Sequence, residues 1–346
     1  MKLERLKVAT AAMSCFVMFA GAACSNDANP NTGAPEASPS PTPAEPDPVC
    51  PLTGLDIPGS VEVDRPAVAV KIENSPQARP QSGLDTADIV FEEVVEGGIT
   101  RFMAIYHCGD SEKVGPVRSA RFDDPKIAKP FTDVIAFSGS NDIVEKELDK
   151  QKIISIDEDT PGAPLFRDPP GVLEVHNLFG DTLKIRDIAE GEKASPPTPL
   201  LDFGDEPVGG KPAKKVTLNF TSSIAIEYKW KGGAWKRFEE GAPFMVDSGE
   251  QISVPNVLVQ EVRVDNSTSI FDVAGNPSPD IELEGKGRAF LFRDGQVIKG
   301  AWETGKDGIP SFKTKDGDEF VFAPGQIWIE LVPSKKGSVK GAFSYK

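Results

Sequence analysis

The chain is poor in histidine and in positive charge. It has two histidines among 346 residues, and 38 Lys and Arg stand against 53 Asp and Glu. His107 and His176 give no ligand spacing for zinc, and the chain lacks a Gly-x-Ser-x-Gly elbow, a phosphate-loop lysine motif and a dinucleotide fingerprint. We therefore expect no metal and no cofactor. A net charge of −15 also disfavours nucleic acid as a partner, because charges of like sign repel.

Residues 1–23 have the organisation of a lipoprotein signal peptide. Lys2, Arg5 and Lys7 precede the apolar stretch Val8–Ala23, which is too short for a comfortable membrane span. The small residues just before Cys24 resemble the box that lipoprotein signal peptidase cuts. The sequence therefore predicts acyl chains of the palmitate type on Cys24, whereas an ordinary secreted protein, with Cys24 incidental, is the alternative.

Residues 24–48 are rich in Pro, Ala and Ser and have no apolar face, which predicts a disordered tether. The chain is thus expected at the cell membrane, lipid-anchored on the extracytoplasmic face. Removal of residues 1–23 takes away a net +2, so the whole-chain charge of −15 becomes about −17. An anionic ligand would then need a local cluster of cations.

Two cysteines remain after the signal and the lipid site are set aside. Because the compartment is oxidising, Cys50 and Cys108 are expected to form a disulfide. A catalytic thiol is the competing interpretation, with His107 beside Cys108 as its one neighbouring base.

Proline and glycine between residues 196 and 212 predict a linker between two domains. Residues 49–195 mix apolar strands with helical patterns, which predicts an α+β or α/β domain with a mixed sheet. Its expected strands are 66–72, 89–95, 101–107 and 133–138, and its expected helices are 141–152 and 178–188.

Residues 213–346 read as an all-β domain, a sandwich or a barrel-like module. Gly232-Gly233 and Asp294-Gly295 supply the turns of two hairpins, because such turns require positive φ angles. A third hairpin is expected at Asp316-Gly317, and residues 326–332 should close the chain as an alternating strand.

Four polar motifs in the first half resemble those of the YerB-like bacterial lipoproteins, a family of unknown function. The motifs are Arg79–Leu84, Glu96–Arg101, Gly115–Arg121, and Arg167-Asp168 with His176–Leu178. The resemblance runs from about residue 51 to 333 and implies an N-terminal mixed domain and a C-terminal β domain, without an established reaction. Val175 and Phe179 depart from the Pro and Tyr that the family usually has there.

Arginines in these motifs predict a pocket for an anion, because the guanidinium fork matches phosphate and carboxylate. The expected ligand-binding residues are Arg79, Arg101, Arg118, Ser119, Arg121 and His176. Ion pairing is the alternative: Arg101 with Glu96 or Glu93, and Arg121 with Asp123 or Asp124. For His176 the favoured alternative is a helix cap or a packing residue.

Three functions follow as hypotheses. The first is a lipoprotein that binds an anionic cell-envelope ligand or a wall-synthesis protein. The second is an enzyme acting on a phosphorylated lipid-linked glycan, motivated by a loose likeness to the arginine-lined pocket of the LytR, CpsA and Psr wall-polymer transferases. The third is a purely structural adaptor. A role without catalysis is favoured.

Overall fold

The computed structural model describes residues 48–59, 61–162, 164–171, 174–205, 209–221 and 225–346. The signal peptide, Cys24 and most of the tether lie outside the described residues. The elements of the first half are β1 Val68–Glu73, β2 Ile89–Val94, β3 Thr100–Tyr106, α1 Asp124–Ala128, β4 Val134–Ala136, α2 Asp142–Gln151, β5 Ile154–Ile156, β6 Leu165–Arg167, β7 Leu178–Gly180 and α3 Thr182–Gly191.

The second half contains strands only, within the described residues. They are β8 Asp202–Phe203, β9 Lys211–Pro212, β10 Lys215–Asn219, β11 Ala225–Lys231, β12 Ala234–Glu239, β13 Ala242–Pro243, β14 Ser253–Val254, β15 Asn256–Phe271, β16 Pro277–Glu282, β17 Gly285–Arg293, β18 Gln296–Thr304, β19 Pro310–Thr314, β20 Val321–Phe322, β21 Ile327–Pro333 and β22 Ala342–Tyr345. This matches the expected classes, a mixed first half followed by a β half.

One sheet of twelve strands runs through both halves, in the order β19-β18-β17-β15-β21-β2-β3-β1-β4-β5, with β16 and β9 at its sides. Strand β21 lies between β15 and β2 and is parallel to both. The prediction of an alternating closing strand was wrong here, because every residue of β21 is buried. Residues 47–346 consequently form one compact unit.

A second sheet, β13-β12-β11-β10-β22 with β14, packs against one face of the main sheet. Arg237 of this second sheet lies over the rings of Phe102 and Trp328, with its guanidinium carbon 5.4 and 5.0 Å from the ring centroids. The opposite face carries α1. Phe131, in the turn after α1, packs on Phe91 with ring centroids 5.6 Å apart. The second half is therefore a sandwich layered on the sheet that both halves share.

Most helices and strands lie where the sequence predicts them. Besides β21, two predicted elements differ, the helix at 178–188 and the hairpin at Asp316-Gly317. Helix α2 begins where expected, because the Asn141 side chain accepts hydrogen bonds from the backbone N–H groups of Ile143 and Val144. The helix expected at 178–188 starts later, because residues 178–180 pair with β6 and Asp181 then caps α3.

The hairpin expected at Asp316-Gly317 opens after its turn. The N–H of Phe320 donates to the carbonyl of Phe312 at 2.7 Å, as a hairpin requires. Beyond it, β20 pairs in parallel with β8 instead. The chain after this turn therefore leaves the hairpin and pairs with β8, a short strand within the segment predicted to be a linker.

Candidate functional site

The ends of three neighbouring strands bring charged residues to one face of the main sheet. Glu73 of β1 and Glu93 of β2 both pair with Arg101 of β3. Directly paired residues project from the same face, so these three side chains lie side by side. Arg118, Ser119 and Arg121 follow in the connection from β3 to α1, and the Arg118 N–H donates to the Lys71 carbonyl of β1 at 2.9 Å.

Arg101 is buried and forms no ion pair with a described residue. It is 5% exposed, its Nη1 donates to the carbonyl oxygen of Ser119 at 2.9 Å, and no described carboxylate lies within ion-pair distance of it. Burial, followed by the nearby charges of Arg121 and Arg118, lowers the pKa of Arg101 to about 10. The group remains a cation at neutral pH, in a place where a cation is costly.

The carboxylates expected as partners of Arg101 are already engaged. Glu93 pairs with Lys71, and Glu96 pairs with Arg121, whose Nε lies 2.7 Å from Glu96 Oε2. Arg121 therefore binds neither Asp123 nor Asp124 through its side chain, contrary to the ion-pair alternative. Its Nη1 turns toward Arg101 and donates to the same Ser119 carbonyl at 3.2 Å.

Glu73 holds two cationic or protonatable groups. Its Oε2 lies 3.1 Å from Arg118 Nε and 2.7 Å from His176 Nδ1. The Glu73 side chain is buried, whereas Arg118 and His176 are partly open to solvent. A buried carboxylate thus orients an arginine and an imidazole at the surface. Sequence reasoning missed Glu73, although an acid at the end of an all-buried apolar strand was a usable signal.

A cavity of about 400 Å³ opens at this position. Arg118, Ser119, Ser138, Arg167 and Glu174 contribute polar groups to its lining, and Arg167 pairs with Glu158. Ser119 Oγ lies 3.4 Å from Ser138 Oγ. Ser138 was not predicted from the sequence, because it follows the separate strand β4, beyond α1. We call the set Glu73, Arg101, Arg118, Ser119, Arg121, Ser138, Arg167 and His176 the arginine site.

A buried trio of ionisable residues, Lys71, Glu93 and Asp124, lies next to the arginine site. Lys71 is fully buried, and its Nζ contacts both Glu93 and, at 2.6 Å, Asp124 Oδ1. Burial raises the pKa of Glu93 to about 8, Lys71 lowers it, and Asp124 raises it again. Asp124 Oδ2 also accepts the backbone N–H of Arg121 at 2.6 Å. The trio therefore fixes the chain where it enters α1 and sets the position of Arg121.

Gly98 and Gly115 of the polar motifs use their backbone amides within the fold and do not offer them to a ligand. The Gly115 N–H donates to the Ser82 carbonyl at 3.1 Å, and the Gly98 N–H donates to the Val95 carbonyl at 3.3 Å. Gly115 is required for another reason: it has a φ of +148°, and a Cβ there would lie 2.9 Å from the Leu178 carbonyl oxygen.

Arg79 lies away from the arginine site, against the second sheet. It pairs with Glu239 and donates to the Asn74 carbonyl at 2.8 Å. The structure therefore does not bring Arg79 together with the other predicted residues. It belongs to the polar junction between the two sheets, which is centred on Arg237.

Arg237 is fully buried among carboxylates. Its Nη1 lies 2.7 Å from Glu92 Oε2, and its Nη2 lies 2.9 Å from Glu239 Oε2. Burial, then the negative charge of Glu92, holds the pKa of Glu330 well above its usual range, and burial also raises the pKa of Glu92. The junction thus sets two arginines, Arg79 and Arg237, against a cluster of buried carboxyl groups.

Cys50 and Cys108 are joined by a disulfide in the structure, with Cα atoms 6.0 Å apart. The bond ties the segment before β1 to the end of β3. Among the described residues no group of His, Cys, Asp and Glu could hold a metal ion, and no helix is long and apolar enough to cross a membrane.

Comparison with known proteins gives two family matches, one curated relative and one solved structure. Residues 52–195 match the N-terminal domain, and residues 216–329 the C-terminal domain, of the protein family of unknown function DUF3048. The chain is 32% identical over 336 residues to "Putative lipoprotein YerB" of Bacillus subtilis (strain 168), covering 92% of this chain and 93% of the relative.

The crystal structure of YerB protein from Bacillus subtilis has a TM-score of 0.70 and 30% identity, and the match covers 85% of this chain and 98% of that one. On these matches, together with the shared motifs and the two-part fold, the chain belongs to the YerB-like, DUF3048 family.

Proposed function

We propose that the protein is an exported lipoprotein, anchored by acyl chains on Cys24, whose arginine site binds an anionic component of the cell envelope. The relative from Bacillus subtilis carries the name of a lipoprotein, which supports the anchoring. A protein of the wall-synthesis machinery that presents a phosphate or carboxylate is a partner of the same chemistry.

The observation that carries the proposal is Arg101. A buried guanidinium with no carboxylate partner, beside two further arginines, is costly to keep in the folded protein. Within the arginine site Glu73 pairs with Arg118 and Glu96 pairs with Arg121, and these two carboxylates also offset part of the charge of Arg101. An anion held by Arg118, Ser119 and Ser138 in the adjoining cavity would offset the rest.

The proposal is tested by replacing Arg118 with Lys. Lysine keeps the charge but loses the planar pair of donors, so a bidentate anion should bind at least tenfold more weakly. Binding is measured by isothermal titration of pyrophosphate and of a sugar phosphate into the chain from residue 47 onward. Arg288→Lys is the matched control, because Arg288 is exposed and pairs with Glu261 away from the site.

Two results would contradict the proposal. One is an equal loss of affinity in Arg118→Lys and Arg288→Lys. The other is the absence of saturable binding to any phosphate. Thermal stability provides a second readout, since a ligand that binds only the folded state raises the melting temperature.

An enzyme acting on a phosphorylated lipid-linked glycan is the second candidate, favoured by the pairing of His176 with Glu73. A carboxylate that holds Nδ1 leaves Nε2 as the position for proton transfer, and Nε2 bonds no other described residue. His176→Gln should then abolish release of phosphate from a polyprenyl-linked sugar phosphate while anion affinity is retained. If the unaltered protein shows no turnover, the enzymatic function is excluded and only the binding function remains.

A further inference from the structure

A second cavity lies on the same face of the main sheet, over the strands of the second half. It measures about 380 Å³, within the range of small-molecule sites, which is about 300–1,000 Å³. We call it the α1 groove, because residues of α1 and of the turn after it form one wall and the loop 305–309 forms the opposite one.

The floor of the groove is apolar. Phe91 pairs with Ile329, and two residues further along β21 Leu331 follows on the same face. Ile127 and Phe131 cover them from the α1 side, and Ile309 stands at the opening with 47% of its surface exposed. An exposed isoleucine at the mouth of an apolar cavity favours an apolar occupant.

Two polar side chains in this lining have no protein partner. Gln260 is 4% exposed and Thr304 is 8% exposed. Neither the Gln260 amide nor the Thr304 hydroxyl forms a hydrogen bond with another described residue. Both residues line the cavity, so an occupant that excludes water and leaves these groups unpaired would cost about 1–3 kcal/mol for each. A plain hydrocarbon chain would leave both unpaired, whereas an acyl ester brings a carbonyl oxygen that both can donate to.

The opening carries charges of both signs, and one of its lysines forms no ion pair. Lys126, Lys129 and Lys306 lie in the lining with Glu284 and Asp307, but Lys126 pairs with Asp123 and Lys129 pairs with Asp133. Lys306 forms no ion pair with another described residue, and it lies two positions after Thr304. The apolar floor, the hydrogen-bonding pair and one unpaired lysine thus line the same cavity.

We propose that the α1 groove binds a single-chain phospholipid, with the acyl chain on the floor, the ester at Gln260 and Thr304, and the phosphate at Lys306. This site is separate from the arginine site and does not depend on its function. It would let the protein hold a lipid monomer outside the bilayer, in addition to its own proposed acyl anchor.

The probe is lysophosphatidic acid, used below its micelle concentration. The chain from residue 47 onward forms one compact unit and is titrated in solution. We expect saturable binding of one lipid per chain. Glycerol 3-phosphate, which lacks the chain, should not bind, and monoacylglycerol, which lacks the phosphate, should bind several-fold more weakly.

Three variants locate the lipid in the groove. Ile309→Asp places a charge at the exposed mouth and should weaken binding at least tenfold, whereas Val273→Asp, at an exposed position outside the groove, should not. Lys306→Gln should reduce affinity for lysophosphatidic acid and leave monoacylglycerol unchanged, with the exposed Lys340→Gln as its control. Thr304→Val should weaken binding of the acyl-ester lipids and spare dodecyl sulfate, which has no carbonyl group.

The proposal is overturned if Ile309→Asp binds the lipid as tightly as the unaltered protein, or if no saturable binding occurs. Arg118→Lys should leave lipid binding intact, so failure at the groove and failure at the arginine site are told apart. Equal effects of Lys306→Gln and Lys340→Gln would refute the assignment of the phosphate.

Discussion

Arg101 and Arg121 share one acceptor: the Nη1 atoms of both donate to the carbonyl oxygen of Ser119, at 2.9 and 3.2 Å. Two guanidinium groups are thereby held close together beside Ser119, which lines the cavity. Arg121 pairs with Glu96, whereas Arg101 forms no ion pair with a described residue. A buried arginine without an ion pair contributes little to stability, which leads to the first prediction.

Arg101→Met should leave the unfolding free energy within about 1 kcal/mol of the original value or raise it, because it removes a buried and unpaired charge. Anion affinity should fall at the same time. The comparison is Arg186→Met, which breaks the buried pair of Arg186 with Asp110 and should cost about 2 kcal/mol. Urea denaturation and phosphate titration give the two quantities, and a large loss of stability in Arg101→Met would count against an unpaired charge.

Stability should rise as the pH falls from 8 toward 5, through Glu93. Its pKa is raised to about 8 in the folded protein, against 4.5 for the free side chain. The folded state therefore binds more protons than the unfolded state between these values, and stability is lost as the pH rises through 8. The slope from one such group is at most about 1.4 kcal/mol per pH unit.

Glu93→Gln should flatten that part of the profile, because glutamine does not titrate. Denaturant midpoints are measured from pH 5 to 8 for both proteins. An identical slope in the two proteins would show that Glu93 does not hold the proton. Glu284→Gln, at an exposed position, is the control and should keep the original slope.

Cys24→Ala should move the protein from the membrane fraction to the soluble fraction, or leave an uncut precursor. Two acyl chains give firm attachment, whereas one gives only marginal binding. Fractionation and immunoblotting of the full chain in a bacterial host measure this. Cys15→Ala is the control, and a membrane-bound, processed Cys24→Ala protein would exclude lipid anchoring at this residue.

The chain from residue 47 onward should show no free thiol to an alkylating reagent until it is unfolded and reduced. Replacing both Cys50 and Cys108 with Ala should lower the unfolding free energy by about 2–4 kcal/mol, because the cross-link restricts the unfolded chain. Mass spectrometry counts the alkylated thiols. Two reactive thiols in the folded, unreduced protein would be incompatible with the bond.

Sequence reasoning located the arginine site only in part. Arg101, Arg118, Ser119, Arg121 and His176 lie near one another, but of these only Arg118 and Ser119 line the cavity, and ligand binding by the set stays a prediction. Glu73 and Ser138 were missed, since their roles depend on which strand ends meet. Arg79 was predicted to lie in the same site because of its motif. The connection from β1 to β2 instead places it on the other face of the main sheet, where it pairs with Glu239 of β12.

Local periodicity and turn chemistry determined most of the elements. The alternation and apolar runs set strands β1 to β3, Asn141 caps α2, and Asp294-Gly295 turns β17 into β18. These features depend on neighbours along the chain, so the sequence by itself was sufficient for them. The class of each half, mixed first and all-β second, followed from the same patterns.

Only the tertiary structure decided how the halves join and what the charges do. A strand near the C-terminus, β21, pairs with β2 across more than two hundred residues, which no local pattern specifies. The same long-range packing engages Glu93 with Lys71 and Glu96 with Arg121, and so leaves Arg101 without a carboxylate. The physical reason is that the residue types set which pairs are favourable, while the fold sets which of them come within reach.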